Sequence, residues 1–409
     1  MERFYQGKSG IDEAERDRIL AEILCVRKFT KFNRLEEMHS YNTEILRLLN
    51  GRQSSIMLQV NEFTFGSPHY LYIYFRDAGS IKKLIELCQR NGHSAFSNGC
   101  GTGSDSLALA EYACETGDYE TALHESQKAV YKAETKSQWS VVICAEFNEI
   151  RAYAATGKAD VAYKTLCQMR EGVEKLSNPV YDSTFQLCSG YFYSVLGRSE
   201  KIPVWLRNGD LSSLSLFFGG LGFDKLVYEK ALLAQGKFLK LEALSDSFDV
   251  GFGVFQNRLG FLHNAVMLAA ARGRLYGAKG GLANLRRALN LACPDEIMLP
   301  FAECATYLLP IFAEMPETEK REVFTKRVMD CCKQYEEHMD GVLRKAPELT
   351  KRETEVLALL AKGLNRNDIA RRLVVSPATV KTHLQLIYRK LEADGKVSAL
   401  NIAKMNGLI

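Results

Sequence analysis

Along most of this chain the apolar positions recur at steps of three and four residues, and long runs of strict alternation are absent. That period predicts helix after helix rather than strands. Proline is rare, with nine in 409 residues, so few helices are forced to break. The pattern is clearest at residues 374–391, "VVSPATVKTHLQLIYRKL". Val380, Leu384, Ile387 and Leu391 fall four, three and four apart and make one buried stripe, while Lys381, Thr382, Gln385 and Arg389 occupy the opposite face.

A longer period lies over the helical one. Tight turns with glycine recur in "CETGDYETAL", "AATGKADVAY", "SVLGRSEKIP", "LAQGKFLKLE" and "RLYGAKGGLA". Their glycines, Gly117, Gly157, Gly197, Gly236 and Gly277, are spaced by 40, 40, 39 and 41 residues. Glycine ends a helix at little cost by turning left-handed, and the next helix then folds back on the first. Each such hairpin leaves an apolar face that only a neighbour covers, so the expectation is a solenoid of helical hairpins over residues 101–340. The frame resembles tetratricopeptide-like repeats lengthened from the usual spacing.

Residues 1–100 are helical but irregular and are expected to form the N-terminal part of the same array. They include the aromatic-rich "SIMLQVNEFTFGSPHYLYIYF". The glycines of "NGCGTGSDSLALAEYA" (98–113) do not make a nucleotide loop, because Ser104 stands where a third glycine is needed. The segment is expected to be a connector, with Ser104 or Asp105 capping the next helix. Residues 317–340 predict a last amphipathic helix, followed by a linker at 341–347 that carries Gly341 and Pro347.

The final domain, residues 348–409, announces its helix boundaries one by one. Thr350 and Glu353 form a capping box, Val356, Leu357 and Leu360 make a buried side, and Gly363 closes the helix. Asn365 caps a second helix with Asp368 in its first turn and Ile369, Ala370 and Leu373 inward. Ser376 caps a third, residues 376–391, with Pro377 at its first position. Helix, short turn and helix at this spacing make a helix-turn-helix, whose second member enters the major groove of DNA. Lys381 and Gln385 then suit base edges, and Thr382 offers its hydroxyl or methyl. Thr379, Arg371, Arg372, Tyr388, Arg389 and Lys390 suit phosphates, although each basic side chain also reads as an ordinary solvated charge. His383 is expected to pack or face solvent.

Charge agrees with this division. Residues 347–409 hold 11 Lys and Arg against 6 Asp and Glu, a surplus of +5, while the rest of the chain sums to −1. The 11 cysteines form no C-x-x-C pair and read as reduced, mostly buried thiols, and the seven histidines have no metal-ligand spacing. No phosphate loop, nucleophile–base pair or metal cluster points to an enzyme or to a cofactor. A charged N-terminus without an apolar signal core, and no long apolar span, lead to an expected place in the cytoplasm.

"LTKRETEVLALLAKGLNRNDIARRLVVSPATVKTHLQLIYRKL" resembles the LuxR-type helix-turn-helix, L-T-x-R-E-x-E-V-L, then N-x-x-I-A-x-x-L, then S-x-x-T-V-K-x-H-x-x-x-I-Y-x-K-L. The resemblance implies that Lys381, Thr382 and Gln385 face the groove. It also implies that the helix opened by Lys396, with Val397 and Leu400, mediates dimers, although Lys396 stands where the family usually has Arg. With less specificity, "GRLYGAKGGLANLRRALNLACPDEIMLPFAECATYLLPIF" and "GYFYSVLGRSEKIPVWLRNGD" are similar to the solenoid sensor of MalT-like ATP-dependent regulators. The ATPase of that group has no counterpart here. The resemblance implies an all-α transcription regulator that binds promoter DNA as a dimer, with RNA polymerase as a further partner. A small-molecule inducer or protein partner would sit in the inner groove of the solenoid. Aromatic "LSLFFGGLGF" (214–223) is either a lining of that groove or core. The competing reading is a protein-interaction scaffold with a weak DNA-binding domain.

Overall fold

The structure, a computed structural model, describes residues 12–56, 64–92, 99–343, 349–391, 393–405 and 408–409. It is all-helical, with no strand among the described residues. The chain opens with a hairpin of α1 (Glu13–Phe29) and α2 (Leu35–Leu49), which share a small core of Ala21, Cys25, Ile45, Leu48 and Leu49. The short α3 (Tyr70–Tyr74) and α4 (Ile81–Gly92) follow.

A run of helical hairpins follows, consistent with the glycine spacing. The first two hairpins are α5 (Ser104–Glu115) with α6 (Tyr119–Glu134), and α7 (Trp139–Ala155) with α8 (Ala159–Leu176). Next come α9 (Pro179–Val195) and the short α10 (Val204–Asn208). The array continues with α11 (Phe223–Ala234) and α12 (Phe238–Gly253), then α13 (Arg258–Tyr276) and α14 (Ala278–Ala292). Gly117, Gly157, Gly197 and Gly236 all have φ between 63° and 84°. After each, the next residue's N–H reaches back five residues: Asp118 to Ala113 O at 2.8 Å, and Lys158 to Tyr153 O, Arg198 to Tyr193 O and Lys237 to Leu232 O at 2.9 Å. This closes four helices in the same way. Gly277 is also left-handed but serves as the N-cap of α14.

The third hairpin departs from the pattern. Pro203 and Gly209 bracket a single five-residue helix, and 3-10 turns replace the rest of its second arm. Ser104 and Asp105 do not cap α5; Gly103 stands at the cap, and the Asp105 carboxylate accepts from Lys132 at 2.5 Å instead. The helix expected from 317 is two: Glu317–Lys320 stands apart as α17, and α18 runs from Val323 to Leu343. Between α14 and α17 lie α15 (Leu299–Ala302) and α16 (Ala305–Ala313). Because α18 continues through Leu343, the linker expected at 341 starts later. Residues 344–347 of that linker and residue 348 lie outside the described residues, as do 57–63 of the aromatic segment.

First arms of the hairpins are buried on nearly every side. In α5, α7 and α13, respectively 10, 13 and 12 residues are buried, which is the composition of helices with neighbours all round. Part of their cover is the chain itself. Residues 64–75 cross these helices and are bonded to each in turn. Thr184 of α9 donates to Gly66 O at 3.0 Å, and Cys144 of α7 to Ser67 O at 3.4 Å. Glu111 of α5 accepts from Tyr70 and Leu71 N at 2.8 and 2.7 Å, and Asn257, the cap of α13, donates to Tyr72 O at 2.7 Å. Of the "LSLFFGGLGF" stretch, Phe217 is exposed, whereas Phe223 sits in the core against Tyr72 and Phe147.

The C-terminal domain has a core of its own, built from Val356, Leu357, Leu360, Ile369, Ala370, Val380, Leu384, Ile387, Leu391, Ala399 and Ala403. Its helices are α19 (Lys351–Ala361), α20 (Arg366–Leu373), α21 (Pro377–Lys390) and α22 (Lys396–Met405). It meets the array through α22, where Ser398 donates to Asp160 of α8 at 3.0 Å and Lys201 donates to the Lys404 carbonyl.

Candidate nucleic-acid interface

The first three of this domain's four helix starts are closed by the side chains their sequence offers. Thr350 accepts from Glu353 N at 3.3 Å, and the Glu353 carboxylate accepts from Thr350 N at 2.7 Å, completing the capping box. Asn365 accepts from Asn367 and Asp368 N, and Ser376 from Thr379 N, with Pro377 at the first position of α21. Val380, Leu384, Ile387 and Leu391 are all buried, as their spacing requires. The stripe fixes the rotation of α21 and turns the opposite face outward.

On that outward face Lys381, Thr382, Gln385 and Arg389 are exposed. Lys381 and Gln385 are one turn apart, with their donors turned outward. Thr382 is exposed beside them. Its hydroxyl donates to Ala378 O at 3.2 Å and keeps lone pairs to accept. Thr379 is exposed and shares a 2.8 Å bond with the Ser376 hydroxyl at the start of the helix.

The residues expected at phosphates separate into groups. Arg372 and Arg389 are exposed on the surface. Arg371 is exposed but holds Asp368, three residues back. Tyr388 is half-buried against the domain core, and burial raises its phenol pKa. Lys390 is drawn inward: its ammonium donates to Glu353 Oε2 at 2.7 Å. Burial of Glu353 opposes its charge, but the bonds from Lys390 and from Thr350 N–H outweigh that and hold its carboxyl below the ordinary value. Lys390 thereby ties the end of α21 to the cap of α19. His383 is half-buried, with an enclosed Nδ1 that has no protein partner. On α22, Val397 is exposed, whereas Leu400 leans into the domain's own core.

Two structural details escape the sequence pattern. Arg352 donates to Leu373 O at 2.7 Å and to Glu355 at 2.8 Å, so it satisfies a carbonyl at the end of α20 and sets the turn that precedes α21. The motif position that holds Arg352 is a signal of importance without a geometry. Val374, in the turn itself, takes a left-handed φ of 54° and is 89% exposed. Nothing in the apolar pattern distinguishes it from a core valine.

Residues 347–403 match the sequence profile of bacterial regulatory proteins of the luxR family. Among similar proteins, the transcriptional regulatory protein YxjL of Bacillus subtilis is 45% identical over 64 residues, which is 16% of this chain and 29% of that protein. The transcriptional regulatory protein DesR of the same organism is 37% identical over 71 residues, 17% of this chain and 36% of DesR. YdfI, another B. subtilis regulatory protein, is 42% identical over 66 residues, 16% of this chain and 31% of YdfI. The chain thus spans well under half the length of these relatives. No helix among the described residues is long and apolar enough to cross a membrane. The C-terminal segment of this chain is a helix-turn-helix domain of the bacterial luxR family.

Proposed function

We propose that this chain is a transcription regulator that reads promoter DNA with α21, while the helical array senses an inducer or a partner. The observation that carries this reading is the two-faced geometry of α21: a fully buried stripe behind and Lys381, Thr382 and Gln385 exposed together in front. A helix held this way fits the major groove, with Lys381 suited to guanine acceptors and Gln385 to adenine. Arg371, Arg372, Arg389 and Thr379 flank it as phosphate contacts, and the regional surplus of positive charge steers it there. Lys390 is left out of this set because its ammonium serves Glu353. Two copies would bind adjacent half-sites through α22, with Val397 as the exposed apolar contact.

The test is a binding titration on duplex DNA selected from the organism's promoters. Affinity should fall steeply with salt, by about one log unit per log unit of salt for each phosphate neutralised. Lys381→Ala should relax sequence preference by about 1–3 kcal/mol at its base pair. Unchanged affinity and selectivity in that variant place the recognition face elsewhere.

A further inference from the structure

Between the third and fourth hairpins and α18 lies a cavity of about 280 Å³, walled by the ends of α9 and α11, by residues 302–307, and by Tyr335, Glu336 and Met339 of α18. Its sides are small and apolar, with Ala234, Ala302 and Ala305 leaving the space open. Its floor is polar and buried. Lys230 donates to Glu303 Oε2 at 2.7 Å, and the Tyr191 hydroxyl donates to the same carboxylate at 2.6 Å. The Lys230 and Glu303 side chains are only 4% and 3% exposed.

Beneath this floor the hydrogen bonding is incomplete. Lys230 and Arg151 both lie against the Tyr191 ring, at 4.6 and 5.6 Å from its centre. Arg151 pairs with Glu115 through one nitrogen, while its Nε and other terminal nitrogen have no protein partner. Glu115 in turn pairs with His69 at 3.0 Å, and burial of His69 is outweighed by Glu111 and Glu115, which raise its pKa. In the cavity wall itself, the Tyr335 hydroxyl is buried without a partner. A polar group enclosed and unpaired costs about 1–3 kcal/mol, and native interiors rarely tolerate several together. A wall that is roomy, polar and under-bonded is built to be completed by something from outside.

The chemistry of the missing partner follows from two balances. Charge on the buried floor is already even, because Lys230 faces Glu303. A guest with net charge would therefore be buried uncompensated. In the cavity itself the open hydrogen-bonding positions are the Tyr335 hydroxyl and the remaining Lys230 hydrogens, both able to donate to an oxygen. We propose that this cavity binds a small uncharged molecule presenting hydroxyl or carbonyl oxygens. The assignment deepens the sensor role proposed above. Tyr335, Glu336 and Met339 belong to the helix that ends at Leu343, shortly before the Thr350 cap of the DNA-binding domain.

Four probes of matched four-carbon length test it: erythritol and succinamide, both neutral, against succinate and putrescine. Saturation-transfer NMR on the full chain should show transfer to at least one neutral probe and to neither charged one. That signal should weaken in Tyr335→Phe and vanish when the cavity is filled by Ala305→Leu or, should that variant not fold, by Ala234→Leu. Transfer to the charged probes, transfer to none, or a signal that survives in the filled variants overturns the assignment. DNA binding of the same samples separates the readings. Lost probe binding with intact DNA binding removes the cavity site alone, and failure to bind DNA removes the regulator.

Discussion

Val374 is a β-branched residue held left-handed in the turn that aims α21, and it projects into solvent. A non-glycine side chain there costs about 1–2 kcal/mol, which the flanking helices must offset. Asparagine tolerates this conformation far better. Val374→Asn should therefore stabilise the C-terminal domain by about 1 kcal/mol, read as a higher denaturant midpoint with an unchanged slope. If DNA affinity falls while stability rises, the valine is kept for the backbone it touches. At this scale the sequence was readable where a residue acts on its own helix. Thr350, Asn365 and Ser376 cap as their spacing predicts, because capping is settled within three residues. Lys390 was not readable, since its partner Glu353 is 37 residues away and only the fold brings them together. Arg371→Ala, by contrast, should release Asp368 and flatten the salt dependence of DNA binding by about one contact; an unchanged slope makes it a bystander.

Between elements, the capping box and the α21 terminus act as one unit through Glu353. Its carboxyl is depressed in the folded domain relative to about 4.3 in the unfolded chain. The stabilisation is therefore present above that unfolded value and is lost as pH falls through the lower folded one. Acid titration of the domain should show loss of helicity below about pH 4, and Glu353→Gln should flatten that dependence while lowering stability at neutral pH by about 1 kcal/mol. An acid profile identical in the variant would assign the lability to another carboxylate. The hairpins were legible from glycine spacing because each left-handed turn needs one residue of a special kind. The third hairpin was not, since Gly197 closes α9 as it does in the other repeats while Pro203 and Gly209 then cut the second arm short. The path of the early crossing segment was not legible either. Nothing in the periodicity of residues 64–75 says that they lie against α5, α7, α9 and α13.

Among the described residues the array and the C-terminal domain have separate cores, and no buried apolar residue of one belongs to the other. Calorimetry should resolve two transitions, the smaller one reproduced by a fragment from about residue 345 onward. A single transition in the full chain would mean that the Ser398–Asp160 and Lys201–Lys404 contacts couple the halves. Repeat arrays ordinarily come apart from their ends, each unit answering only to its neighbours. Here an early stretch of the polypeptide is pinned to four rods drawn from distant repeats, as a keystone is held by several stones at once. Pulling it out would loosen all four together, so amide exchange along the array should give way as one block and not unravel stepwise.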